Sequence, residues 1–383
     1  METVKLYYEN ARTAEFSARV LSCEPRRNGG FAVVLDRTAF NPEGGGQTAD
    51  TGALGDVRVT DAHEREGIIY HYTDGPLTPG TEVTGRLDWA ERWRKMQNHS
   101  GEHIVSGLVH ARYGYDNVGF HLGEEGCTID FSGELTRTQL DEIEDAANAV
   151  VWQDLPVVAR FPGPEELRTL EYRSKLDLTE NVRIVTIEGV DVCACCAPHV
   201  ARTGEIGVIK LLDAMRHRGG VRITALCGMD AAELADRQQE SVTAISGLLS
   251  VKREQVVPGV ERLLENLARQ KERIAVLGLE LARLRAESLP ETEGNLTVFD
   301  AVLDEAALRE MVNRLMEKCA VAASFSGSDG EGYRYIIGSR HIDLRAEAKA
   351  INAALRGKGG GKPTMIQGSC EAKKDEIEAY FQA

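Results

Sequence analysis

No run of 18 apolar residues occurs anywhere in the 383-residue chain, so a membrane-spanning helix is not expected. The opening METVKLYYENARTAEF lacks an apolar h-region, which argues against a secretory leader and makes the cytoplasm the default compartment. Cysteine is scarce. The eight present (Cys23, Cys127, Cys193, Cys195, Cys196, Cys227, Cys319, Cys370) are too few for a disulfide scaffold in a chain of this length. Basic residues are outnumbered, 45 Lys plus Arg against 60 Asp plus Glu, and the formal charge of −15 excludes indiscriminate nucleic-acid binding, which needs phosphate neutralisation. No short-period repeat is visible.

What is present is an ordinary globular composition, 42% hydrophobic and 27% charged, enough for two to four domains with their own cores. Local basic patches survive the acidic balance: Arg92, Arg94 and Lys95 in one run, and Arg345 to Lys362 in another, where Arg345, Lys349, Arg356, Lys358 and Lys362 face only Glu347. Solvated charge on helix faces is the plain alternative for both.

Residues 1 to about 90 carry short apolar or alternating runs such as 31–35 and 57–60 between glycine-rich turns, the pattern of a small β-barrel or sandwich with no obvious helix. From Asp88 to about Arg112 the period changes. Trp93, Met96, Ile104, Val105, Leu108 and Val109 recur every three or four residues, which predicts an amphipathic helix. A strand at 127–131 is followed by Thr136 and Gln139, a capping box opening a helix that buries Leu140, Ile143, Ala147 and Val150. Strands are expected near 157–161, 182–187, 206–212 and 221–226.

From Asp230 to Ser288 the chain reads as helix, with Pro258 near the start of a segment whose heptad positions are Val260, Leu267, Ile274, Leu281 and Leu263, Gln270, Leu277, Leu284. Either a coiled coil between two copies or packing on its own domain satisfies that stripe. Beyond Pro290, strands near 296–299, 321–325 and 333–337 alternate with helical stretches.

Chemistry concentrates in two places. The stretch QNHSGEHI (Gln97 to Ile104) sets His99 and His103 four residues apart, on one helix face and about 6 Å apart along the axis, a spacing that lets two imidazoles grip one ion. His110 falls on the same stripe but about 10 Å further on, too far for a third ligand. The second place is Asp191 to His199, where Cys195 and His199 are separated by three residues, beside Pro198. Thiolate and imidazole suit zinc, and two short-spaced pairs from distant segments make its usual four-cornered cage. Cys193 and Cys196 stand close enough to substitute for Cys195, and a closed structural zinc remains open as an alternative. His99, Glu102 and His103 also spell the H-x-x-E-H pattern of inverted zinc peptidases, but the Cys-x3-His segment is not the carboxylate that completes those sites.

Six blocks in order resemble a known family: LDRTAFNPEGGGQTADTG (35–52), NHSGEH (98–103), VGFHLGEE (118–125), IEGVDVCACCAPHVARTGEIG (187–207), HRGGVRITALCG (217–228) and GGGKPTMIQGS (359–369). They are similar to the freestanding alanyl-tRNA editing proteins of the AlaX family, long form, which are related to the editing and C-terminal domains of alanyl-tRNA synthetase. The resemblance implies a zinc site of His99, His103, Cys195 and His199. It also implies a partner, alanine tRNA mischarged with serine or glycine, and an activity, hydrolysis of that aminoacyl ester. Two departures stand out. Family members carry Cys-Gly-Gly-Thr-His where this chain has Cys195, Cys196, Ala197, Pro198 and His199, and a tyrosine often stands at the position of Asn41.

The glycines Gly44, Gly45 and Gly46 serve a turn on the bland reading; the resemblance adds that this loop faces the zinc cleft, with Gln47 and Thr38 as substrate contacts. Gly357 to Pro363 fails the phosphate-loop spacing, and the resemblance associates its domain with tRNA. Glu102 and then His121 are the candidates for orienting or deprotonating the attacking water, against a surface ion pair for Glu102 and a core role for His121. Arg92 with Arg94, and Arg216 with Arg218, are candidates for the tRNA backbone.

The expected fold class is α+β. Residues 1–90 form a small β-barrel domain, 91–229 an α/β-layer zinc editing domain, 230–290 a helical connector able to form a coiled coil, and 291–383 a small α/β domain for tRNA binding or dimerisation. A homodimer through the connector or the last domain, and no membrane partner, complete the expectation.

Overall fold

The computed structural model describes residues 2–123, 126–174 and 181–382. Glu124 and Glu125, at the end of the VGFHLGEE block, lie outside them. The chain divides into two compact units, Met1–Ser241 and Val242–Ala383.

In the first unit, alternating runs separated by tight turns become six antiparallel strands that close on themselves. They run in the order Glu15–Pro25, Phe31–Leu35, Ile68–Thr73, Val57–Arg65, Gly52–Leu54, Glu82–Leu87, the last pairing back with the first. Val20, Val33, Leu35, Phe40, Leu54 and Val59 fill the interior with essentially no exposure. One helical turn, Leu6–Glu9, precedes the barrel and corrects the expectation that residues 1–90 hold no helix. Four residues are too few to show a 3.6-residue period, so the pattern could not announce it.

The barrel leads directly into the 25-residue helix Trp89–Tyr113, which ends on Gly114 in a left-handed conformation. This helix is buried along much of its length against a four-stranded sheet ordered Ile209–His217, Gly220–Cys227, Gly126–Phe131, Asn117–Gly123. Close packing depends on Gly101, where a Cβ would stand 2.3 Å from Cys227 Sγ. The helix Arg137–Gln153 completes the layer and begins with both hydrogen bonds of the Thr136/Gln139 capping box. A three-stranded sheet, Val157–Arg160, Ile184–Ile187, Asp191–Ala194, carries the cysteine segment. The mixed α+β character matches the sequence reading.

The run Arg92 to Lys95 is not a surface patch. Arg92 is 1% exposed, pairs with Asp50, and donates to the carbonyls of Ala11 and Ala39. Lys95 is 2% exposed, donates to the Ala49 carbonyl and pairs with Glu91, while Arg94 pairs with Asp230. Arg92 and Lys95 thus join the barrel segment to the helix, while Arg94 ties the helix to Asp230 and to the Gly123 carbonyl. Composition cannot distinguish a buried arginine from a solvated one, which explains the discrepancy.

The second unit contains the 33-residue helix Val256–Ser288 and a five-stranded sheet ordered Asn295–Phe299, Val321–Ser328, Gly332–Gly338, Met365–Cys370, Gly357–Lys362. Lys318 Nζ donates to the carbonyls of Ala286, Glu287 and Leu289, satisfying the end of the long helix. The glycine run Gly357–Lys362 is the edge strand of this sheet rather than a phosphate loop. No helix among the described residues is long and apolar enough to cross a membrane.

Candidate metal centre

His99 and His103 project from one face of the Trp89–Tyr113 helix, and Cys195 and His199 come from the bend after the strand Asp191–Ala194. Their ligand atoms all lie within 4.8 Å of one another. Cys195 Sγ is 3.5 Å from His99 Nε2 and 3.4 Å from His199 Nε2. Zinc bonds of about 2.1 Å to nitrogen and 2.3 Å to sulfur in a tetrahedron would separate those atoms by about 3.6 Å. The donor set therefore fits a divalent ion with little movement.

Each histidine has its other nitrogen occupied. His99 Nδ1 meets Gln47 Oε1 at 2.7 Å, His103 Nδ1 meets Asp191 Oδ2 at 2.7 Å, and His199 Nδ1 meets Ser100 Oγ at 3.2 Å. Such partners fix the tautomer with Nδ1–H outward and Nε2 free toward the centre. Arg173 in turn holds Asp191 through two contacts of 2.7 and 2.9 Å. Burial works against ionising Asp191, but His103 and Arg173 together keep its carboxyl below the usual range.

Cys195 is distinguished from its neighbours by the same surroundings. Burial opposes its thiolate, yet the surrounding imidazoles of His99, His199 and His103 outweigh it and hold the thiol well below its ordinary range. Cys193, which lies near His103 and Asp191, is pushed up to about 11, chiefly by burial, and donates to the Ala194 carbonyl. Cys196 is exposed. His110 stands apart on the surface, paired with Asp116.

The glycine loop comes up against this centre. Leu122 N donates to the Gly46 carbonyl, and a Cβ on Gly46 would lie 2.0 Å from the Phe120 carbonyl, so only glycine fits. Phe120 lays its ring 4.6 Å from that of His99. Gln47 is 1% exposed, and its Nε2 has no hydrogen-bond partner among the described residues.

The other expected site residues are distributed differently. Glu102 is buried, not part of a surface ion pair; its Oε1 accepts from Ser106 Oγ and Asn117 Nδ2, both at 2.5 Å. That oxygen links the helix to Asn117, the first residue of the strand Asn117–Gly123. His121 is exposed, next to Phe120 in the strand, where alternation sends it to the opposite face from the ring on His99. Thr38 is fully buried in the barrel, its hydroxyl 2.8 Å from His71 Nε2 and accepting from Phe40 N, so it corrects the reading of an open substrate contact. Arg216 is exposed near the end of the strand Ile209–His217, beside Glu134, and Arg218 is exposed in the turn that leads to the strand Gly220–Cys227. Sequence reasoning missed Asp191 and Arg173; an acidic residue two positions before a cysteine ligand segment was the available signal.

The threonyl and alanyl tRNA synthetase second additional domain matches residues 182–224, which include Cys195 and His199; the DHHA1 domain matches 293–383, and tRNA synthetases class II (A) match 4–91. Along nearly its whole length the chain is similar to alanyl-tRNA editing and alanine–tRNA ligase proteins. It is 29% identical to the alanyl-tRNA editing protein Aarsd1 of Rattus norvegicus over 96% of this chain and 95% of that protein. It is also 34% identical to the alanine–tRNA ligase of Natronomonas pharaonis over 96% of this chain, and 32% identical to that of Pyrococcus abyssi over 100%. The chain spans only 42% and 44% of those two ligases.

Proposed function

We propose that this chain hydrolyses the ester joining serine, or glycine, to the 3′ adenosine of alanine tRNA, in a zinc-dependent reaction that spares correctly charged alanine. The observation that carries the reading is the convergence of His99, His103, Cys195 and His199 with each histidine's Nδ1 already engaged. Zinc, when bound there, supplies a Lewis acid that orients the aminoacyl group.

The remaining work falls to the chain. Gln47 keeps His99 in register through Oε1 and retains a buried donor, Nε2, for an oxygen of the substrate. A site that hydrogen-bonds a hydroxyl rejects the analogue lacking it by roughly 10⁴ to 10⁵, which is the margin serine and alanine require. Phe120 walls the centre beside His99 and limits the room for larger groups. Glu102, tied to Ser106 and Asn117, is better suited to holding the strand Asn117–Gly123 against the helix than to taking a proton from water. Arg216 and Arg218 supply charge for the tRNA backbone. Dimerisation through the helix Val256–Ser288 forms part of the same reading.

Four protein donors also satisfy a closed structural zinc, which would make the chain a zinc-stabilised RNA-binding module without activity. Incubation with Ser-tRNA and Ala-tRNA, both on alanine tRNA, separates the two. Release of serine alone, lost on chelation and restored by zinc, supports the hydrolase; tight tRNA binding without release supports the module.

A further inference from the structure

The bend that carries Cys195 and His199 has an anchor separate from the metal donors. Arg183 is 4% exposed, and its Nη1 donates to the Cys195 carbonyl at 3.0 Å and to the Ala197 carbonyl at 2.9 Å. The backbone closes the same link in reverse, Cys195 N donating to the Arg183 carbonyl at 3.0 Å. The guanidinium carbon stands 5.0 Å from the centre of the Tyr8 ring, which meets Phe161 edge-on at 5.4 Å. Among the described residues the arginine's partners are thus two carbonyls and a ring, with no carboxylate in an ion pair.

A permanent charge buried without a counter-charge costs folding energy, so its geometric return should be sought in what it touches. It touches the bend at two carbonyls, those of Cys195 and of the residue midway to His199. Fixing both leaves little freedom in the separation of Cys195 Sγ and His199 Nε2, which is 3.4 Å. Both contacts come from one nitrogen, Nη1, whose direction is set by the plane of a guanidinium seated on the Tyr8 ring, so losing the guanidinium releases both carbonyls together.

We propose that Arg183, seated on Tyr8, is a positioning residue that preorganises the Cys195–His199 half of the metal centre. The inference rests on the metal reading of the site. Residues supporting metal ligands typically govern affinity by about ten- to a hundredfold.

The test uses the full zinc-loaded chain as wild type, Arg183→Lys, Arg183→Gln and Tyr8→Leu. Zinc release to an excess of a chromophoric chelator is followed by absorbance, zinc per chain by elemental analysis, and folding by circular dichroism of loaded and stripped protein. Folded Arg183→Gln should release zinc about tenfold faster or more, Arg183→Lys by less because its ammonium keeps donors for the two carbonyls, and Tyr8→Leu faster by a smaller factor. A purely structural part would lower the thermal midpoint of loaded and stripped protein alike and leave the release rate unchanged; that result overturns the proposal. Should the Arg183 variants not fold, Tyr8→Leu decides: faster release supports the clamp, wild-type release overturns it. Wild type that takes up no zinc defeats the metal reading itself, a different outcome from wild type that binds zinc with variants that hold it equally well.

Discussion

Gln47 Oε1 accepts a hydrogen bond from His99 Nδ1 at 2.7 Å, tying the glycine loop of the N-terminal barrel to the helix of the candidate metal centre. Gln47→Ala removes that acceptor while leaving the four donors in place. Zinc affinity, measured by competition with a chelator, should fall by about ten- to a hundredfold. Unchanged affinity would mean the loop serves only as a turn.

The buried and exposed arginines should separate in their effects. Arg92→Met leaves Asp50 buried without its partner, and chemical denaturation should show a loss of about 3 to 5 kcal/mol. Its tRNA affinity, measured on folded protein, should stay near wild type. Arg216→Ala and Arg218→Ala should do the reverse, preserving stability and lowering tRNA affinity, with the slope of log K against log salt falling by about one for each phosphate no longer neutralised.

His71 gives the barrel a predictable acid limit. Its Nδ1 donates to the Val33 carbonyl, so Nε2 is the acceptor for the Thr38 hydroxyl, and burial pushes the imidazole down to about 4. The unfolded chain takes up this proton near pH 6.5, before the folded one does. The neutral ring's contribution is therefore intact above about 6.5 and lost as the pH falls toward 4. Denaturation midpoints of wild type should fall across that window, and those of His71→Gln should fall less steeply. Parallel curves would count against it.

The long helix of the second unit leaves an apolar stripe uncovered: Leu263, Leu267, Ile274, Leu277 and Leu284 are all exposed. Its C-terminal part is closed off, Ala282 and Ala286 packing with Ala307 and Met311 of the helix Glu305–Leu315. A stripe at heptad spacing favours a second copy of the same helix. Sedimentation should show a concentration-dependent dimer that Leu267→Asp with Ile274→Asp abolishes; a wild-type monomer at all concentrations would refute the pairing.

Much of this was legible in the sequence because local patterns govern it. The Trp89–Tyr113 helix follows from its apolar period, and the Thr136/Gln139 box sets the start of the next one. The pairing of His99 with His103 was readable because i,i+4 spacing on a helix is itself a geometry, and the meeting of that pair with Cys195 and His199 was expected from donor chemistry and the family resemblance. Contacts between distant segments were not readable. Asp50 with Arg92, Gln47 with His99, and Arg173 with Asp191 are separated by 42, 52 and 18 residues, and no local pattern links them. Glu102 shows the limit most clearly: its helical position was fixed by the period, but its partner Asn117 arrives on a strand, across a bulge at Asp130/Phe131.

The central claim is that one divalent ion, held partly by Cys195, is required for selective ester hydrolysis. Zinc content and release of serine from Ser-tRNA on alanine tRNA should be measured in the same preparations of wild type and Cys195→Ala. The account predicts about one zinc per wild-type chain with serine released and alanine retained, and in folded Cys195→Ala the loss of both zinc and release. Full serine release by a folded, zinc-free Cys195→Ala would contradict it.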